Sequence, residues 1–226
     1  MSYLRKIITA ILPLVITYLV SIFTLILVAL IYNLLGYNSI EKFLTLSPIF
    51  ISIIYIVIII FLIKKYPIKE KKSSKHFFYI SLGISLSIFL NMILFKYFPK
   101  NKVDLKISLL LNIISSGIIG PIYEEIIFRH ILYNQLKNFN STKKSLYITT
   151  IIFSLIHVYP QKIIYAFILG LILNKIYEKD KNIISPILIH ISANITSLFL
   201  VEYNPYLLYL SFLNILINYY ILTHKW

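Results

Sequence analysis

Two glutamates and an arginine interrupt an otherwise apolar stretch, Pro121-Ile122-Tyr123-Glu124-Glu125-Ile126-Ile127-Phe128-Arg129, in a chain with eight acidic residues and two arginines. A charge at membrane depth costs at least about 2.5–3.5 kcal/mol, so three of them so close together need a purpose. Glu125 and Arg129 are spaced i, i+4 with the acid on the N-terminal side, the better orientation for a helical ion pair, and as a pair they largely neutralise each other. Glu124 is rotated by about 100° from Glu125 and faces away from that pair. A carboxylate so placed tends to hold its proton more tightly and suits general acid/base work. An ordinary interhelical salt bridge accounts for Glu125 and Arg129 but leaves Glu124 unexplained. Just upstream, Pro121 has no N–H and takes the helical partner from the carbonyl of Gly117, and Gly120 loosens the backbone further.

The other groups with chemistry are histidines. His76 and His224 stand at the ends of apolar runs beside lysines, as interfacial residues do, and His130 follows Arg129 on another face of its helix. His157 and His190 lie inside apolar runs: Phe153-Ser154-Leu155-Ile156-His157 and His190-Ile191-Ser192-Ala193-Asn194. Each histidine shares a helix face with the residue four positions away, Phe153 or Asn194. A lone intramembrane histidine more often makes a helix–helix hydrogen bond than catalyses anything. Depth argues otherwise here. At about 1.5 Å per residue, Glu124 and His157 each lie about 19 Å, and His190 about 13 Å, from the lysines at the inner ends of their helices. One polar, water-admitting cavity would satisfy all three. Glu124 could take a proton from water while Asn194 and a histidine stabilise an oxyanion, a set suited to attack of water on an amide. Glu124, His157 and His190 could equally hold a divalent metal such as zinc, with water in the open position. The residues leave that choice open. No His-Glu-x-x-His helix, Gly-x-Ser-x-Gly elbow or phosphate-binding glycine loop occurs, and with no cysteine there is no thiol nucleophile, thiolate site or disulfide.

These residues must be carried by membrane helices. The chain is 59% hydrophobic with a mean hydropathy of +0.84, against about 45–50% apolar in soluble domains. Apolar runs near or above 18 residues recur, the mark of a polytopic membrane protein. We expect an all-α bundle of about eight transmembrane helices forming a single integral membrane domain over 1–226. The spans are placed at Ile7–Leu34, Pro48–Ile63, Phe77–Phe95, Leu105–Leu136, Leu146–Val158, Ile163–Tyr177, Ile183–Val201 and Tyr206–Leu222. The spans of 1–104 precede a core over 105–201 that carries the motifs, and 202–226 holds the last span. The loops are placed at Gly36–Ser47, with Glu41 and Lys42, at the lysine-rich Lys64–Lys75, and at the solvated turn Glu178–Lys181. Ser81, Gly83, Ser85 and Ser87 would let the third span approach its neighbours closely.

With the N-terminus inside, fifteen basic residues fall on the inner side and six on the outer, which places both termini in the cytoplasm. The net charge of +14 is thereby read as membrane topology and anionic headgroups, and nucleic acid is excluded as a partner. The abundance of Ile, Lys, Asn and Tyr fits an AT-rich genome, hence a bacterial plasma membrane.

Taken in order, Glu124-Glu125-x-x-x-Arg129, Phe153-x-x-x-His157 and His190-x-x-x-Asn194 resemble the three motifs of the CPBP family of intramembrane proteases. That family includes the type II CAAX prenyl endopeptidases and bacterial relatives linked to bacteriocin processing or self-immunity. The resemblance covers about residues 115–200, with no departure in the motif residues. It implies cleavage of peptide bonds in membrane-associated peptides or proteins. It places the catalytic glutamate at Glu124 and its partner at His157, with His190 and Asn194 on the oxyanion or metal side. Glu125, Arg129 and Phe153 become supports. Two rival readings are a non-enzymatic bacteriocin self-immunity protein and a small membrane scaffold or transporter.

Overall fold

The computed structural model describes residues 3–36, 40–68, 73–98 and 109–223. Among these the chain is entirely helical: α1 (Tyr3–Leu34), α2 (Ile40–Lys65), α3 (His76–Tyr97), α4 (Leu109–Lys137), α5 (Thr142–Leu155), α6 (Pro160–Asp180), α7 (Ile184–Phe199) and α8 (Pro205–Thr223). Five helices are long and apolar enough to cross a membrane, namely α1, the Thr45–Lys65 part of α2, α3, α4 and α8, while α7 is apolar and shorter. The protein is a multi-pass membrane protein. His224, the expected start of the fourth helix near Leu105, and several lysines of the charge count lie outside the described residues.

Three boundaries differ from expectation. The loop placed at Gly36–Ser47 gives way to helix from Ile40, so Pro48 sits inside α2. Proline removes one helical bond rather than the helix, and the hydroxyl of Ser52 donates to the Pro48 carbonyl at 2.7 Å. The span placed at Leu146–Val158 ends at Leu155, because Pro160 drives Tyr159 into extended backbone and Val158 takes φ 60°. The turn placed at Glu178–Lys181 is helical through Asp180. Asp180 accepts from the Tyr79 hydroxyl at 2.6 Å, Lys179 donates to the Leu222 carbonyl, and Glu178 pairs with Lys181.

The helices form two compact units, one within Met1–Ile68 and Val103–Phe139, the other within Lys69–Lys102 and Asn140–Trp226. The motif-bearing region therefore contributes α4 to the first unit and α5–α7 to the second. In the first, α1, α2 and α4 pack against one another, and a ring nitrogen of His130 on α4 lies 3.0 Å from the Tyr66 carbonyl at the end of α2.

In the second unit, α3 packs between α7 and α8, and α5 pairs with α6. Gly83 sets the approach of α3 to α7, since a Cβ there would overlap the Ser192 hydroxyl and the Ile189 carbonyl. Asn214 and Asn218 of α8 donate to Ser85 at 2.7 Å and Ser81 at 3.0 Å. The small residues of α3 thus bring two helices close, as expected of them. Tyr79, Leu82 and Leu86 of α3 form the core with Leu169 and Leu173 of α6 and Ile189 and Ala193 of α7. This packing fixes the position of His190, one residue beyond Ile189.

Candidate active site

Glu124 stands on a helix of changing width. Two π-helical stretches, Ile113–Ile119 and Ile126–Tyr133, flank the α-helical segment Gly120–Glu125. At their first junction the Gly120 N–H donates to the Ser115 carbonyl, five residues back. The ladder shifts register just where Pro121 cannot donate, a widening that recurs at functional sites. Glu125 and Arg129 are fully buried, 0% exposed, and the Arg129 Nη1 donates to Glu125 Oε1 at 2.9 Å. Glu124 is only partly buried. The ion pair read from spacing is formed, and Glu124 beside it is the less buried residue, with its Oε2 nevertheless buried.

Beside Glu124, the ring of Tyr123 stacks flat on Tyr55 of α2, with centroids 3.9 Å apart and planes 2° from parallel. Thr17 and Ser21 of α1 lie near the Tyr123 hydroxyl, while their own hydroxyls donate to the Pro13, Leu14 and Thr17 carbonyls. Glu124 is close enough for its charge to act on the phenols of Tyr18 and Tyr55. The sequence reading did not single out these tyrosines. The signal available for Tyr18 was Thr17-Tyr18 and Ser21, one polar cluster within an apolar span.

In the second unit, Phe153 is fully buried and bridges the two motif histidines. Its ring meets His157 edge-on at 5.0 Å and His190 edge-on at 5.8 Å. His157 lies in the turn after α5 rather than within the helix, yet its i, i+4 relation to Phe153 survives: Nδ1 is 2.9 Å from the Phe153 carbonyl. A carbonyl only accepts, so Nδ1 carries the proton in this contact, which leaves Nε2 as the ring nitrogen for chemistry. His190 is 2% exposed, and Asn194, one turn further along α7, is partly exposed. The fold therefore assembles Phe153, His157 and His190 within one unit, and Glu124, Glu125 and Arg129 within the other.

Among the described residues, neither unit by itself gathers three or more His, Asp or Glu side chains that could share a metal ion. One of the two carboxylates beside each other on α4 is already bonded to Arg129.

Residues 106–196 match the family model described as Type II CAAX prenyl endopeptidase Rce1-like. This segment spans all three motifs, from Glu124 to Asn194, and is similar to a family of proteases, the one the motifs resemble. The match supports an enzyme, and a CAAX-type intramembrane protease as its class. It leaves α1, α2, α3 and α8 outside. No curated protein and no solved structure matches the chain.

Proposed function

We propose that this chain is an intramembrane endopeptidase that hydrolyses peptide bonds of membrane-associated peptides or proteins, with Glu124 as the general base. The observation that carries the reading is the division of roles on α4 within the family-matched segment: Arg129 takes the charge of Glu125, while Glu124, one residue earlier, remains partly accessible. In the reaction, Glu124 removes a proton from water as the water oxygen bonds to the amide carbon. Donors from His157, His190 and Asn194 stabilise the resulting oxyanion. When the C–N bond breaks, that proton passes from Glu124 to the leaving nitrogen, leaving a carboxylic acid and an amine and restoring the Glu124 carboxylate. General-base assistance of this kind contributes about 10²–10⁴-fold.

The reaction needs water within the membrane, and in the second unit the length of α5 supports its entry. Its 14 residues rise about 21 Å, short of the ~30 Å hydrocarbon core. A turn at that level is tolerated only where protein buries it or water lines it. Lys162, just beyond it, lies with its ammonium 5.5 Å from the Tyr159 ring and also requires water nearby. In this reading the chain is one membrane domain of eight spans in a bacterial plasma membrane, both termini inside.

The test compares source-cell membranes carrying wild type or Glu124→Gln at matched levels, by mass spectrometry of peptide termini. Termini present only with wild type support the proposal and name substrates, and adding a chelator separates a water-only from a metal-assisted reaction. Identical termini, with any protective phenotype intact, would refute it in favour of a non-enzymatic immunity protein.

A further inference from the structure

The family match begins at residue 106, so nothing in it assigns a role to α1. About 16 Å along α4 from Glu124, near its last turn, α4 and the start of α1 enclose a cavity of about 310 Å³. Its walls are Lys6, Thr9 and Ala10 of α1, Gln135 of α4, and Asn138 and Phe139 just after α4. The sequence dictates how the walls are joined. Pro13 has no N–H, so the Thr9 carbonyl loses its helical partner. Gln135 supplies the replacement: its amide nitrogen donates to the carbonyls of Thr9 at 3.2 Å and Ala10 at 3.3 Å. Phe139 is held in turn by the Tyr3 ring, edge-on at 5.7 Å. Lys6 is half-buried and, among the described residues, has no carboxylate or hydrogen-bond partner. Arg5 precedes it and Lys137 ends α4, whereas Glu124 and Glu125 lie at least ten residues earlier on that helix than Gln135. The cavity is therefore cationic, with room beside an ammonium that has no counter-charge.

We propose that this cavity binds the phosphate headgroup of an anionic phospholipid, with Lys6 as its cation and the Asn138 amide as a second donor. Its walls stand where α1 and α4 reach their terminal basic residues, which is the depth of a lipid phosphate. In the topology proposed above this is the inner leaflet, whose surface is negatively charged, and basic pockets between membrane helices on that side suit such headgroups. The two helix ends offset each other. The first turn of α1 favours an anion and the last turn of α4 disfavours it, so the lysine decides the preference. A volume at the lower end of the ~300–1,000 Å³ of ligand pockets suits a headgroup rather than a whole lipid. The acyl chains have a surface of their own. Leu12 and Ile16, three and seven residues beyond Thr9, share its side of α1 and are exposed, so an apolar path leads from the cavity toward the hydrocarbon. A free phosphate would make no use of that path, which favours a lipid. The bound headgroup would bridge α1 and α4 beside the Gln135 link. It would thereby tie a helix outside the family-matched segment to the one that carries Glu124. The inference stands apart from the hydrolase reading, since none of these residues belongs to the proposed reaction.

The test uses the full-length protein in detergent micelles, titrated with phosphatidylglycerol, phosphatidylcholine or inorganic phosphate. Native mass spectrometry counts bound lipid, and a melt follows stability. Wild type should bind one phosphatidylglycerol more tightly than further copies and in preference to phosphatidylcholine, with a rise in melting temperature. Lys6→Gln should weaken that site about fivefold, the worth of one lysine near an anionic surface. Lys143→Gln, an equal loss of charge at an exposed lysine of the other unit, should leave it unchanged. Asn138→Leu narrows the cavity without altering charge, so it should also weaken the site, and it serves where Lys6→Gln fails to fold. Wild-type affinity in Lys6→Gln or, failing that variant, in Asn138→Leu would overturn the inference. So would equal weakening by Lys6→Gln and Lys143→Gln, the sign of diffuse surface attraction. Inorganic phosphate raising the melting temperature as much as phosphatidylglycerol would overturn the lipid in favour of a free anion.

Discussion

Substitution of Arg129 by alanine tests the support of the site separately from its chemistry. Both partners of the Glu125–Arg129 pair are 0% exposed, joined by a 2.9 Å bond. At that separation and an effective dielectric near 20, the attraction is about 6 kcal/mol. Removing one partner leaves a charge buried without compensation, which costs about 3–5 kcal/mol. For a chain of this size each kcal/mol moves the midpoint by about 2–4 °C, so Arg129→Ala should melt about 6–20 °C below wild type. The double variant Glu125→Leu/Arg129→Met removes both charges and fills most of the volume. Buried pairs replaced in this way are often neutral or better, so the double variant should recover most of that loss. The assay is thermal unfolding in detergent, followed by size exclusion of the folded fraction. An Arg129→Ala protein melting within about 2 °C of wild type would refute the buried-pair argument, as would a double variant less stable than either single one.

Three further outcomes follow from the same geometry. Glu124→Gln should lower the cleavage rate by about 10²–10⁴-fold with a melting temperature close to wild type, read by cleavage of internally quenched peptides beside a melt. Gly83→Ala should destabilise the second unit by at least the ~1–3 kcal/mol typical of overpacking, because the added methyl meets the backbone of α7 at Ile189. Activity should fall with it as His190 shifts. Phe153→Leu keeps an apolar filler but removes the ring between the imidazoles, so it should lower kcat more than it lowers folded yield on size exclusion.

Local physics fixed much of this protein before folding is considered. Hydropathy determined the all-helical membrane class, and the i, i+4 spacing of Glu125 and Arg129 determined their pairing, because both depend on residues within a turn or a span. The relation of Phe153 to His157 was legible for the same reason, although the helix ends at Leu155: Pro160 acts on Tyr159, two residues after His157, and the last-turn bond of Nδ1 to the Phe153 carbonyl outlasts the helix. The small residues of α3 announced a close approach without naming the partner. The meeting of Gly83 with Ile189 and Ser192, of Phe153 with His190, and of Tyr55 with Tyr123 joins residues far apart in the chain. No periodicity encodes such contacts, since they depend on which helix face packs against which. Tyr55 was hidden for a further reason: among 19 tyrosines in a chain rich in them, only its stack on Tyr123 in three dimensions sets it apart.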